Sequence, residues 1–129
     1  MAANCARDLV DQYFAALTRK DLATLRTLLH DDLSFKGPLA TLDSADAYLH
    51  GLGHVTAAMT GLERRVVVAE GENVIQTYDV ILGAASAAVP VAEWLQVRDD
   101  RIAAIQMYLD ARAFTDAAAQ PAEGAARAG

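Results

Sequence analysis

Three carboxylates, Asp79, Glu93 and Asp110, and three tyrosines, Tyr13, Tyr48 and Tyr108, carry the chemistry legible in this chain. A carboxyl group in a poorly hydrated site holds its proton to higher pH and can act as a general acid or base. A phenol can donate a hydrogen bond to an oxygen that gathers charge. The stretch "RIAAIQMYLDARAF", residues 101–114, poses the question most sharply, because a run of strand-forming residues ends on Tyr108 and Asp110. Strict alternation puts Ile102, Ala104, Gln106, Tyr108 and Asp110 on one face, and Ala103, Ile105, Met107 and Leu109 on the other. A carboxylate facing an interior is costly unless it is paired or protonated. Asp110 therefore either enters a pocket or caps the turn or short helix suggested by Ala111 to Ala118, a position where Asp is favoured.

Other reactive groups are less well placed. His50 and His54 stand one helical turn apart, the spacing of a metal pair. They have neither the adjacent Glu of an H-E-x-x-H motif nor a third ligand, so no metal is expected. Cys5 is the one cysteine and has no basic neighbour to activate it. The run "RDDR" at 98–101 reads as a solvated hairpin turn.

These residues must be positioned by elements that the pattern of apolar side chains predicts. Leu9, Val10, Tyr13, Phe14 and Leu17 fall at helical spacing, giving a first helix over about residues 5–19. Asp21 caps a second helix with Leu22, Leu25, Leu28 and Leu29 along its buried side, and "HDDLSFKGP" ends it in a short extended stretch and a Gly-Pro turn. Asp43 or Ser44 starts a third helix, along which Ala45, Tyr48, Leu49, Leu52, Val55 and Met59 share a side, and it stops near Gly61. From there the period changes. "LERRVVVAE", "NVIQTYDVILGA", "VPVAEWLQVRD" and "RIAAIQMYLD" read as four strands of an antiparallel meander.

With 129 residues, 53% of them hydrophobic and 22% charged, the chain is expected to form one α+β domain over residues 1–115. Residues 116–129 lack large apolar side chains and are expected to form a disordered tail. A net charge of −6 with 11 Lys and Arg argues against nucleic acid or an anionic membrane as partner. Neither a membrane-length apolar run nor a signal-peptide core stands in the sequence, so a cytoplasmic location is expected. An antiparallel sheet with helices on one side must wrap around them, and a cone left partly open forms a pocket. Glu93, Leu95 and Val97 share one face of their strand and Trp94, Gln96 and Arg98 the other. On "NVIQTYDVIL" both faces are partly apolar, so alternation does not orient Asp79 against Tyr78.

The sequence from residue 5 to about 115, through "YFAALTRKDLATLRTLLHDDLSFKGP", "YDVIL", "AEWLQVRDDRI" and "IQMYLDARAF", resembles the nuclear transport factor 2-like superfamily. Within it the SnoaL-like polyketide cyclases and limonene epoxide hydrolases are most similar. The resemblance implies a cystatin-like α+β cone, three N-terminal helices packed in a curved antiparallel sheet. It further implies a cofactor-independent acid/base enzyme of cyclase, isomerase or hydrolase type acting on a small hydrophobic molecule. A noncatalytic ligand-binding or dimerisation role is the alternative, since the superfamily holds both. By the hydrolase pattern, Asp79 and Asp110 match the two catalytic aspartates, while Thr77 stands where that pattern has an arginine. By the cyclase pattern, Asp110 alone is the general acid/base. By the ketosteroid isomerase pattern, Tyr13 matches an oxyanion-hole tyrosine, Glu93 falls near its partner acid, and Gly37 stands at the position of the base. The expected catalytic residues are thus Asp110, Asp79 and Tyr13. Glu93, Tyr48, Tyr108, Leu95 and Phe35 are expected to bind substrate. Bulky residues on both strand faces, among them Tyr78, Val80, Leu82 and Trp94, lead to the expectation of a homodimer.

Overall fold

The computed structural model describes residues 6–83, 87–110 and 112. Cys5, the expected tail over 116–129 and most of the helix suggested after Asp110 lie outside the described residues. Helix α1, Ala6–Thr18, buries Val10, Tyr13, Ala16 and Leu17 on one side, the helical stripe in its sequence. Helix α2, Leu22–Thr27, begins at Asp21, whose side chain accepts a hydrogen bond from the Thr24 amide at 3.1 Å. Helix α3, Ala45–Ala58, begins at Ser44, which accepts from the Ala47 amide at 3.0 Å.

Between α2 and α3 the chain forms strands β1, Leu29–Lys36, and β2, Thr41–Leu42. After α3 come β3, Met59–Glu70, β4, Asn73–Leu82, β5, Ala87–Arg98, and β6, Arg101–Leu109. The strands join in one sheet of order β2-β1-β6-β5-β4-β3. The expected meander is present, since β3 to β6 pair antiparallel in sequence order. β1 adds what the sequence reading left as a short extended stretch: it runs parallel to β6 and carries β2 antiparallel on its other edge. Its burial does not alternate cleanly, because the register with β6 shifts between Leu29 and Ser34.

Turn chemistry and bulges shape the sheet. Asp99 and Asp100, at φ 54° and 61°, form a two-residue turn between β5 and β6, the hand that matches strand twist. Gly71, at φ 59°, does the same work between β3 and β4. Register shifts occur in β3 between Met59 and Gly61 and between Arg64 and Val66, and at the β5–β6 pair between Gln96 and Val97. Bulges of this kind bend a strand and increase its twist, so the sheet curves around the helices.

The concave face of the sheet is well defined. Val74, Gln76, Tyr78, Val80 and Leu82 of β4 and Val89, Val91, Glu93, Leu95 and Val97 of β5 are all buried on it. On β6 the expected alternation is corrected. Gln96 pairs with Ala104 but Val97 pairs with Ile102, so Ala103 is one residue too many. Past that bulge the inner face passes to Ile105, Met107 and Leu109, opposite Leu95, Glu93 and Val91. Tyr108, expected to face inward, is 53% exposed on the outer face. Among the described residues no helix is long and apolar enough to cross a membrane.

Candidate functional site

A cavity of about 260 Å³ opens between α3, residues 37–40 and the concave face of the sheet. Phe35, Leu39, Leu52, Val80 and Met107 give it an apolar wall. Tyr48 of α3 and Tyr78 of β4 bring the hydroxyl groups among its lining residues. Both rings are held edge or tilt against another aromatic ring: Tyr48 lies 4.9 Å from Phe35 and Tyr78 lies 5.5 Å from Phe14, between centroids.

Behind these tyrosines lies a buried polar cluster. The Tyr13 and Tyr48 hydroxyls hydrogen-bond to each other. Glu93 is 1% exposed, and Gln76, directly opposite it on β4, is wholly buried. The Gln76 side-chain amide donates to Glu93 Oε1 at 2.8 Å, while Oε2 has no hydrogen-bond partner among the described residues. Burial pushes the Glu93 carboxyl up from 4.5 to about 7, against the opposing pull of the Gln76 amide, the nearby Tyr78 hydroxyl and the Arg64 charge. The Tyr78 hydroxyl is close enough to the Glu93 carboxyl to favour its charged form. Burial likewise raises Tyr13, Tyr48 and Tyr78 above the usual phenol range, and the Glu93 charge adds to each. At neutral pH the cluster therefore holds three protonated phenols around a carboxyl group that is close to half-protonated.

Arg64 of β3 anchors the cluster from the other side. Its Nε donates to Gln76 Oε1 at 3.0 Å and its Nη1 to Asp11 Oδ1 at 2.7 Å. The guanidinium sits over the Phe14 ring at 5.1 Å. Burial pushes the Asp11 carboxyl up, but hydrogen bonds from Arg64 and Arg7 outweigh it and leave Asp11 below its ordinary value.

The residues expected from sequence divide into two groups. Tyr13, Tyr48 and Glu93 come together, and Phe35 lines the cavity beside them. Leu95 is wholly buried in the core that joins the helices to the sheet, away from the cavity wall. Asp79 and Asp110 do not meet in the pocket. Asp79 is on the outer face of β4, because Tyr78 and Val80 on either side of it point inward, and it pairs with Arg65. Asp110 follows β6 beyond the bulge, with a side chain 56% exposed, and accepts from the Arg112 amide at 3.0 Å. That is the turn-capping role left open by the sequence. Tyr108 shares the outer face. His50 and His54 pack edge to face at 5.3 Å, and no group of three or more His, Cys, Asp or Glu suited to a metal occurs among the described residues.

Sequence reasoning missed Tyr78, Gln76 and Arg64 as parts of the site. Their common signal is register. Gln76 faces Glu93 across β4 and β5, and Arg64 faces Tyr78 across β3 and β4.

The curved sheet with helices at its N-terminal side defines an α+β protein of the NTF2-like fold. The solved structures similar to the chain agree. A protein from Kribbella flavida DSM 17836 aligns at TM-score 0.83 and 22% identity, covering 93% of this chain and 98% of that one. An NTF2-like protein of unknown function from Cytophaga hutchinsonii aligns at 0.73 and 18%, covering 84% and 93%. An LEH-like epoxide hydrolase from M. tuberculosis aligns at 0.72 and 19%, covering 96% of each chain. No curated protein matches the sequence. Residues 10–105 match the profile of the SnoaL-like domain, and the chain belongs to that family.

Proposed function

We propose that this SnoaL-like protein is a cofactor-independent acid/base enzyme acting on a small hydrophobic molecule that carries a carbonyl or enolisable oxygen. The observation behind this reading is Glu93, buried and with a proton affinity near neutral pH, set behind Tyr48 and Tyr78 in the wall of an otherwise apolar cavity. The apolar wall suits the hydrocarbon part of the ligand, whose oxygen would turn to the tyrosines. Phenols backed by a neutral acid donate hydrogen bonds to an oxygen as it gains charge, in a site where water does not compete. Such a cluster suits a cyclase or isomerase whose reaction passes through an enolate: ionised Glu93 takes up the α-proton by way of a tyrosine hydroxyl, and the protonated acid then returns it to the product. The hydrolase pattern is less well supported, with Asp79 and Asp110 directed outward and Thr77 in place of the arginine.

One observation favours noncatalytic binding as a second reading. No carboxylate lines the cavity among the described residues, and Gly37 offers no side chain at its rim. The two readings separate in a turnover screen of hydrophobic ketones and polyketide-like aromatics, run beside calorimetric binding on wild type, Glu93→Gln and Tyr48→Phe. Under the enzyme reading both variants lose turnover by at least about 100-fold while binding changes only a few-fold. Binding with no turnover in any protein would leave the second reading standing. We also propose that the working form is a homodimer packed through the outer face of the sheet, where Val66, Val68, Ile75 and Tyr108 are exposed.

A further inference from the structure

We infer that Gln76 and Arg64 are positioning residues that leave Glu93 a single oxygen, Oε2, through which to exchange its proton. A guanidinium group offers only donors, so the Gln76 oxygen must be the atom that meets Arg64 Nε at 3.0 Å. Rotating the amide would set its NH2 against another N–H. The amide nitrogen is thereby directed at Glu93 Oε1, 2.8 Å away. In a neutral carboxylic acid the carbonyl oxygen is the better acceptor, so this fixed donor makes Oε1 the carbonyl and leaves the hydroxyl at Oε2. Arg64 is itself fixed by the Asp11 carboxylate at 2.7 Å and by the Phe14 ring, and its side chain is 23% exposed. Hydrogen bonds thus link α1, β3, β4 and β5 in series.

This series anchors the acid without conducting its proton, because an amide N–H or a guanidinium has no lone pair with which to take up one proton while passing on another, as a hydroxyl can. The titratable and charged groups around Glu93 are Tyr13 from α1, Tyr48 from α3, Tyr78 from β4 and Arg64 from β3. Its neighbour across β6 is Met107, which brings no charge. Exchange at Oε2 consequently passes by way of the phenols, two of which line the cavity. The bearing of this on catalysis rests on the acid/base reading above.

The test follows the ligand-free protein by nuclear magnetic resonance, with carbon-13 in the glutamate carboxyls and nitrogen-15 in the glutamine side chains. Glu93→Gln and Gln76→Met identify the two signals by their loss. In wild type the Gln76 side-chain NH2 should titrate with the same midpoint as the Glu93 carboxyl. In Gln76→Met that midpoint should rise by about one unit or more, because the charged form loses its donor. Arg64→Lys, which retains a charged donor for the Gln76 oxygen, should move it less. Gln76 signals that stay flat through the Glu93 titration would overturn the inference, as would a folded Gln76→Met with the wild-type midpoint. Should Gln76→Met not fold, the wild-type titration decides alone. An active enzyme with flat Gln76 signals would sink this inference and spare the acid/base reading. Coupled titration without turnover would do the reverse.

Discussion

Glu93 ties the proposed chemistry to a measurable cost in stability. Its carboxyl lies at about 7 in the folded chain against an ordinary 4.5. Between those values the folded state holds a proton that the unfolded chain has released. The stability linked to Glu93 is therefore complete below about 4.5, falls as pH rises through the window, and stays lost above about 7. A gap of this size corresponds to about 3 kcal/mol. Asp11, Asp21 and Asp31 act in the opposite direction but at lower pH, since each lies below 3.8. Urea melts at pH 5 and pH 8 should show wild type less stable at pH 8 by a few kcal/mol, and Glu93→Gln nearly unchanged between the two. A wild type equally stable at both would return Glu93 to an ordinary carboxylate. In the sequence this residue was legible as a pocket group through the face it shares with Leu95 and Val97 and through the resemblance to the ketosteroid isomerase pattern. The buried donor beneath it, Gln76, was not legible, because a polar residue in an apolar strand gives no sign of which partner satisfies it.

At the scale of elements, the apolar stripes of α1 and α3 and the caps Asp21 and Ser44 could be read directly, because a 3.6-residue period and a capping side chain are local properties. Strand faces were harder. Ile102, Ala103, Ala104 and Ile105 are all apolar, so nothing in their types marks Ala103 as the bulge that turns Tyr108 and Asp110 outward. On β4 the outer face holds Ile75 and Ile81 as well as Asp79, and alternation carries no sign there. β1 was lost for a different reason: its partner β6 lies more than sixty positions away in the chain, and a parallel pair leaves no short-range turn signal. A comparison of variants checks the corrected faces. Asp79→Asn and Asp110→Asn should leave ligand affinity and any turnover within about twofold of wild type, since neither side chain reaches the cavity. Asp79→Asn removes the charge that pairs with Arg65, and because the Asp79 side chain is only 13% exposed the change should cost about 1–3 kcal/mol of stability while leaving the cavity intact. A large loss of activity in either variant would restore the aspartates to the site.

The proposed homodimer turns on the outer face of the sheet. Val68 pairs with Ile75, and Ile75 with Trp94, so an apolar band crosses β3, β4 and β5 in register. Val66, Val68 and Ile75, with Tyr108 of β6 on the same outer face, are each more than half exposed. On the same face Arg65 pairs with Asp79 and reaches Glu63 at 3.9 Å, so this group keeps one of the net −6 charges of the chain. Of the residues whose bulk predicts a dimer, Tyr78, Val80 and Leu82 point instead into the cavity and core, while Trp94 lies on the outer band beside Ile75. Covering the band by a second copy across a two-fold axis removes it from water without disturbing the cavity on the opposite side of the sheet. Sedimentation equilibrium should then give a dimer at micromolar concentrations. Ile75→Lys, which places a charge at the centre of the band, should shift the protein to monomer with an unchanged circular dichroism spectrum, because the side chain is 51% exposed and bears little on the monomer core. Wild type that sediments as a monomer up to about 100 μM would show the association to be too weak for a working dimer, since that concentration corresponds to only about 5.5 kcal/mol of binding.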